Sequence, residues 1–245
     1  MALADVARAF GSAARQYDSR ARLQQQVADW LLEAAPARVN TAVDLGCGTG
    51  YCLARLNADK RFGLDISRAM LLEARQKAPD SLFIQADAQQ LPLATGSVDL
   101  LVSSLALQWC GDLSLALGEV GRVLAPGGQA LLTVPLAGSL NELASAWGAS
   151  QGHLLAMPDE NNLAAMLPTG ARLKVKDFVV HFDDLTALRQ SLKGVGAHHV
   201  PGRAQGLTGK ARYRQFVAAI EAKRTPLGLP LTYRIGLISW QNAFL

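Results

Sequence analysis

The chain has 245 residues, half of them hydrophobic and 18% charged, with a formal net charge of +4. That length and balance suit one α/β domain with a full core and exclude a disordered chain. No apolar run reaches the roughly 18 residues that a membrane span needs, and the N-terminal stretch MALADVARAFGSAARQYDSR lacks the unbroken apolar core of a secretory signal, so a soluble cytoplasmic protein is expected.

Residues 5–35 place apolar side chains three and four apart, Val27, Trp30 and Leu31 among them, which predicts helix up to Pro36. RVNTAVDL then reads as a short buried strand running into a glycine turn, and YCLARLN as the first turns of a helix. RFGLDIS is a second strand ending in an acid, and Ser67 caps the helix RAMLLEARQKA. SLFIQAD is a third strand, again ending in an acid. Pro92 and Gly96 mark the loop before a fourth strand, SVDLLVSSLAL. Asp112 opens the helix DLSLALGEVGRVL, APGG stops it, and QALLTVP is a fifth strand.

Beyond Pro135, SLNELASAWGASQGHLLAM and DENNLAAML are helical and ARLKVKDFVVHF is a sixth strand. LTALRQSLKGVGA and TGKARYRQFVAAIEAKR are helical again, and LPLTYRIGLISWQN is the final strand. Strands alternating with helices at this interval predict an α/β fold: a Rossmann-like, seven-stranded, mostly parallel sheet with helices on both faces. The expected division is an N-terminal helical cap over 1–36, a core over 37–183 and 225–245, and a helical lid insertion over 184–224. The lid would cover the carboxyl ends of the strands, where such sheets bind ligands.

Charge is unevenly spread. Residues 41–150 hold seven basic and ten acidic residues, net −3, whereas 151–245 hold twelve and six, net +6. Between Asp184 and Glu221 there is no acid, but there are Arg189, Lys193, Arg203, Lys210, Arg212 and Arg214. This run is either a solvated face or a docking surface for an acidic partner or an anionic substrate. Few aromatics accompany it, so nucleic acid ranks below a protein partner. The three cysteines, Cys47, Cys52 and Cys110, are too few and too widely spaced for a disulfide framework or a zinc site and read as small buried thiols.

The chemistry concentrates in VDLGCGTG. A dinucleotide site wants Gly-x-Gly-x-x-Gly, but after Gly46 and Gly48 the third place is Tyr51, and the pattern is Gly46-x-Gly48-x-Gly50. Asp44, two residues before the first glycine, would repel a pyrophosphate and pair with a cationic ligand. S-adenosylmethionine has an amino group and no phosphate, so it is favoured over a nicotinamide dinucleotide. Asp65, ending the second strand, can accept from both ribose hydroxyls, as in dinucleotide sites too, or can cap a helix. Asp87, ending the third, can accept from the adenine amino group while the Ala88 N–H donates to the ring, or can simply form a turn. Three strand-end acids with a glycine turn form a set stronger than any member.

VDLGCGTG, GLDIS, ADAQQLPL and RVLAPGGQALLTVP resemble the successive motifs of a class I S-adenosylmethionine-dependent methyltransferase. AFGSAARQYDSRARLQQQVADWLL, SSLALQWCGDL, GSLNELASAW, LKGVGAHHV, GLTGKARYRQF and GLPLTYRI resemble the malonyl-acyl-carrier-protein O-methyltransferases of biotin synthesis, the BioC family. The resemblance implies methyl transfer to the free carboxylate of malonyl-acyl carrier protein. It implies a cofactor site with Asp44, Gly46, Cys47, Gly48, Gly50, Asp65, Ile66, Asp87, Ala88 and Ser103, and no metal. A malonyl carboxylate is ionised near neutrality, so orientation is expected to replace acid or base catalysis. Partners for that carboxylate are sought among Tyr17, Gln108, Trp109, Lys193, His198 and Arg203, with the basic run 189–214 docking the acidic carrier and neither nucleic acid nor membrane as partner. The alternatives are a small-molecule C- or O-methyltransferase of the quinone type and a non-catalytic cofactor-binding partner protein.

Overall fold

A computed structural model describes residues 3–14, 17–147, 157–194 and 210–242. Helices α1 (Leu3–Ala13), α2 (Tyr17–Arg20) and α3 (Arg22–Leu32) precede the sheet. The strands are β1 (Val39–Leu45), β2 (Ala58–Asp65), β3 (Leu82–Gln85), β4 (Val98–Ser104), β5 (Leu124–Pro135), β6 (Arg172–Phe182) and β7 (Leu229–Gln241). Between them lie α4 (Arg68–Lys77), α5 (Leu113–Val123), α6 (Asn141–Trp147), α7 (Glu160–Met166), α8 (Leu185–Gly194) and α9 (Lys210–Glu221).

The strand order is β3-β2-β1-β4-β5-β7-β6. The first five strands pair in parallel, and β7 lies antiparallel between β5 and β6. The order reverses between β1 and β4, which opens a crevice at their carboxyl ends. Helix faces explain the layering. Ala28 and Leu31 of α3 pack on one side with Leu53, Leu100, Leu131 and Leu237, whereas Ala116 and Val120 of α5 pack on the other with Val43, Leu101 and Leu132. Leu31, Leu53, Leu100, Leu101, Leu131 and Leu132 are fully buried. Each such side chain contributes about 1.5–3 kcal/mol.

Ser67 and Asp112 cap their helices as expected, and Asp159 does the same for α7. Ser67 accepts from Met70 N–H at the start of α4, Asp112 from Ser114 and Leu115 N–H at α5, and Asp159 from Asn162 N–H at α7. Two elements differ from expectation. The β1–β2 crossover holds only a 3-10 turn, Leu53–Arg55, because β2 begins at Ala58 and leaves residues 46–57 for the whole connection. APGG lies inside β5: Val98 pairs with Leu124 and Leu100 with Gln129, so residues 125–128 form a bulge, bent at Gly127 with φ +77°.

Between β6 and β7, α8 and α9 pack with α6 through Leu143, Leu188, Phe216 and Ile220. No helix among the described residues is long and apolar enough to cross a membrane.

Candidate active site

At the end of β1 the N–H groups of Gly46 and Cys47 both donate to the Leu64 carbonyl of β2, at 2.7 and 2.9 Å. Gly46 has φ +70°, and a Cβ there would stand 2.2 Å from the Ala106 Cβ, so the turn needs glycine twice over. Gly48 has φ +52°, and nothing lies within 4 Å of where its Cβ would be. Its missing side chain borders the open space of two cavities. Gly50 faces away; a Cβ on it would lie 3.1 Å from Ala74 of α4.

Asp65 accepts from Gly48 N–H at 2.9 Å and from Ser67 N–H at 2.7 Å. These bonds fix its rotamer and leave further lone pairs toward the cavity. Burial raises its pKa, and the two N–H groups oppose that rise. Asp44 is 2% exposed and accepts from Leu53 N–H at 3.0 Å. Burial pushes its carboxyl up to about 7, with the Leu53 bond opposing and Asp65 adding. An ammonium group beside it would restore the charge. Asp87 is held by Gln89, whose backbone N–H and side-chain amide both donate to it, while Gln89 accepts from Asp112 N–H.

Three chambers adjoin. The first, about 710 Å³, is bordered by Gly46, Gly48, Asp65, Ile66, Asp87 and Ala88 and closed by Val6 and Phe10 of α1. The second, about 440 Å³, is bordered by Asp44, Cys47, Gly48 and Thr49 and faces Gln24 and Gln25 of α3. The third, about 720 Å³, is lined by Gln108, Trp109, Gln24 and Tyr233 among apolar Phe10, Leu105, Leu140 and Ile235. Tyr17 borders all three, and burial followed by the charge of Asp65 pushes its hydroxyl pKa well up, so it stays a neutral donor.

Tyr17 is anchored from the next residue. Asp18 accepts from Thr49 Oγ1 at 2.7 Å and forms an ion pair with Lys77 of α4, whose Nζ also donates to Thr49 at 3.0 Å. The cap is thereby tied to the glycine turn. Trp109 stands edge-on to Phe10, ring centroids 5.4 Å apart. Gln108 donates from Nε2 to the Leu105 carbonyl at 2.6 Å, and its buried Oε1 has no partner among the described residues.

Of the sequence candidates, Asp44, Gly46, Cys47, Gly48, Asp65, Ile66, Asp87, Ala88, Tyr17, Gln108 and Trp109 meet around these chambers. Two cofactor candidates do not. Ser103 is fully buried and donates to the Leu45 carbonyl at 2.7 Å, and Ser104 borders the cavities instead. Gly50 serves helix packing. The Lys193 side chain, His198 and Arg203 lie outside the described residues. Cys47 and Cys52 are buried as expected, but Cys110 is half-buried and borders the first chamber, its thiol pushed up to about 12 by burial and then by Asp87. Sequence reasoning missed Tyr233 as a site residue, although it lies in the quoted GLPLTYRI; burial, then Glu142, pushes its hydroxyl pKa up.

Asp44 beside the glycine turn disfavours a diphosphate and suits an ammonium group, while Asp65 and Asp87 suit ribose hydroxyls and an adenine amino group. The residues therefore fit S-adenosylmethionine. A family described as a methyltransferase domain matches residues 43–132, the stretch from β1 into β5. The malonyl-[acyl-carrier protein] O-methyltransferase of Alcanivorax borkumensis is 42% identical across 94% of this chain and 83% of its own length. The chain belongs to the malonyl-[acyl-carrier protein] O-methyltransferase family. Another member of this O-methyltransferase family, from Erwinia pyrifoliae, is 36% identical across 94% of this chain and 90% of its own length. At the level of fold, the YcgJ protein of Bacillus subtilis superposes with a TM-score of 0.61 at 18% identity, covering 89% of this chain and 98% of that one.

Proposed function

We infer that this chain methylates the free carboxylate of malonyl-acyl carrier protein, giving the methyl ester that starts pimeloyl synthesis for biotin. The observation that carries the inference is an apolar chamber with neutral donors directly beside an acid-lined cofactor corner, in a chain of this family. S-adenosylmethionine supplies an electrophilic methyl group on a sulfonium sulfur. Asp44 would hold its amino group, Asp65 the ribose, and Asp87 with the Ala88 N–H the adenine.

The substrate carboxylate is already ionised near neutral pH, so no side chain has to take a proton from it. The chain's task is to strip water from that carboxylate and aim it. A carboxylate out of water needs hydrogen-bond donors. Tyr17, Tyr233 and Trp109 border the third chamber and carry O–H or N–H donors, and both phenols are protonated near neutral pH, with burial raising their pKa further. Neutral donors can orient a carboxylate that has been stripped of water. Arg203 stands as a candidate clamp, Lys193 and His198 as further partners, and residues 189–214 as the docking face for the acidic carrier. Residues 184–224 would then act as a lid over both ligands.

The test supplies methyl-labelled cofactor with malonyl-acyl carrier protein, malonyl-CoA and a quinol in competition. Label in a base-labile malonate ester is expected. Label in the quinol and none in an ester would overturn the reading.

A further inference from the structure

A fourth cavity, about 800 Å³, lies between α3, β6 and α8. Leu23, Gln24 and Tyr233 line both it and the third chamber, so those three side chains are the shared boundary. Across that boundary the lining changes. The third chamber is walled mainly by Phe10, Leu105, Leu140 and Ile235, whereas the fourth presents Arg22, His181, Gln190 and Ser191. Arg22 is exposed and has no carboxylate partner among the described residues.

A malonyl group on its carrier hangs from a pantetheine arm of amides and a hydroxyl that ends in a phosphodiester. With the malonyl carboxylate in the third chamber, the arm has to leave by one side. The cofactor side would be filled by the bound nucleoside at Asp44, Asp65 and Asp87, which leaves no room there for the arm. The α3–α8 side offers amide, hydroxyl and imidazole partners and then a free guanidinium.

We propose that the phosphopantetheine arm runs through the cavity between α3 and α8, with Gln24, Gln190 and Ser191 meeting its amides and Arg22 meeting its phosphodiester. The proposal rests on the carboxyl-methylation reading above. It places the carrier on the outer side of α8.

The experiment compares malonyl-acyl carrier protein with malonyl-N-acetylcysteamine, whose short arm stops before the groove. Ser191→Trp narrows the passage, and Arg22→Ala removes the cation. For each, the ratio of kcat/KM for the carrier substrate to kcat/KM for the short thioester is expected to fall, by about tenfold for Arg22→Ala, the scale of one lost charge-assisted hydrogen bond. Taking the ratio cancels a general folding defect. A ratio unchanged from wild type in both variants would overturn the passage. A wild-type chain inactive on both thioesters would instead remove the carboxyl-methylation reading, and the passage with it.

Discussion

Burial leaves Asp44 partly protonated near neutral pH when no cation stands beside it. Its carboxyl sits at about 7 in the free protein, and an ammonium ligand would lower it. Cofactor affinity is therefore expected to be full above pH 7 and to decline below it, by at most about tenfold per pH unit. Titration calorimetry in buffers of different ionisation enthalpy should find proton release on binding, and Asp44→Asn should abolish it. The same group opposes folding as pH rises. Between the ordinary value of 3.8 and about 7 the folded chain keeps a proton that the unfolded chain has lost, so this contribution to stability falls across that window. Asp65→Asn should weaken cofactor binding by about 1–3 kcal/mol, through the lost charge and the loosened Gly48 and Ser67 N–H groups. Unchanged affinity would remove the ribose from Asp65. The glycines separate fold from function. Gly46→Ala collides with Ala106 and should cost folding, whereas Gly48→Ala meets no protein atom and costs only its left-handed backbone, about 1–2 kcal/mol, while filling the ligand's space. Thermal denaturation and cofactor titration of the two variants should therefore give opposite patterns. The strand-end acids were legible because parallel strands deliver their last residues to one edge. Ser103 and Ser104 are successive residues of β4 and point to opposite faces, so Ser103 is buried on the Leu45 carbonyl while Ser104 borders the cavities. Tyr233 was invisible as a site residue because it reaches the site only when β7 inserts between β5 and β6.

Helix α2 is four residues long and has little stability of its own. Its position follows from Asp18, Thr49 and Lys77. Both charged partners are partly exposed, so the tie is modest and salt-sensitive. Lys77→Met should speed cofactor dissociation about two- to fivefold, measured by stopped-flow fluorescence, with a smaller effect at high salt. An unchanged rate at low salt would mean that the cap closes without this tie. At this scale all seven strands were legible from apolar runs between turn signals. The β1–β2 crossover was not, because YCLARLN has helical periodicity, but the buried Asp44 takes Leu53 N–H and β2 starts early. The start of β5 was missed because a Pro-Gly-Gly stretch normally ends an element, whereas here β4 and the Gly127 kink absorb it as a bulge.

Charge is divided along the chain. Its acid-rich stretch, residues 41–150, supplies the cofactor corner, and residues 151–245 hold the net positive charge. A negative carrier would be drawn to the second region and away from the first. The KM for malonyl-acyl carrier protein should accordingly rise with ionic strength, while that for malonyl-N-acetylcysteamine should stay flat. Equal salt dependence would place the carrier elsewhere. That division was readable from charge counts, but the junction of three chambers at Tyr17 needed the helical cap folded over the sheet edge.

The most direct test is a crystal structure with S-adenosylhomocysteine and a malonyl thioester bound together. The amino group is expected at Asp44, the ribose hydroxyls on Asp65, and the sulfur facing a malonyl carboxylate held among Tyr17, Trp109 and Tyr233. A nucleoside whose sulfur faces away from that chamber, or a malonyl group bound elsewhere, would contradict this arrangement.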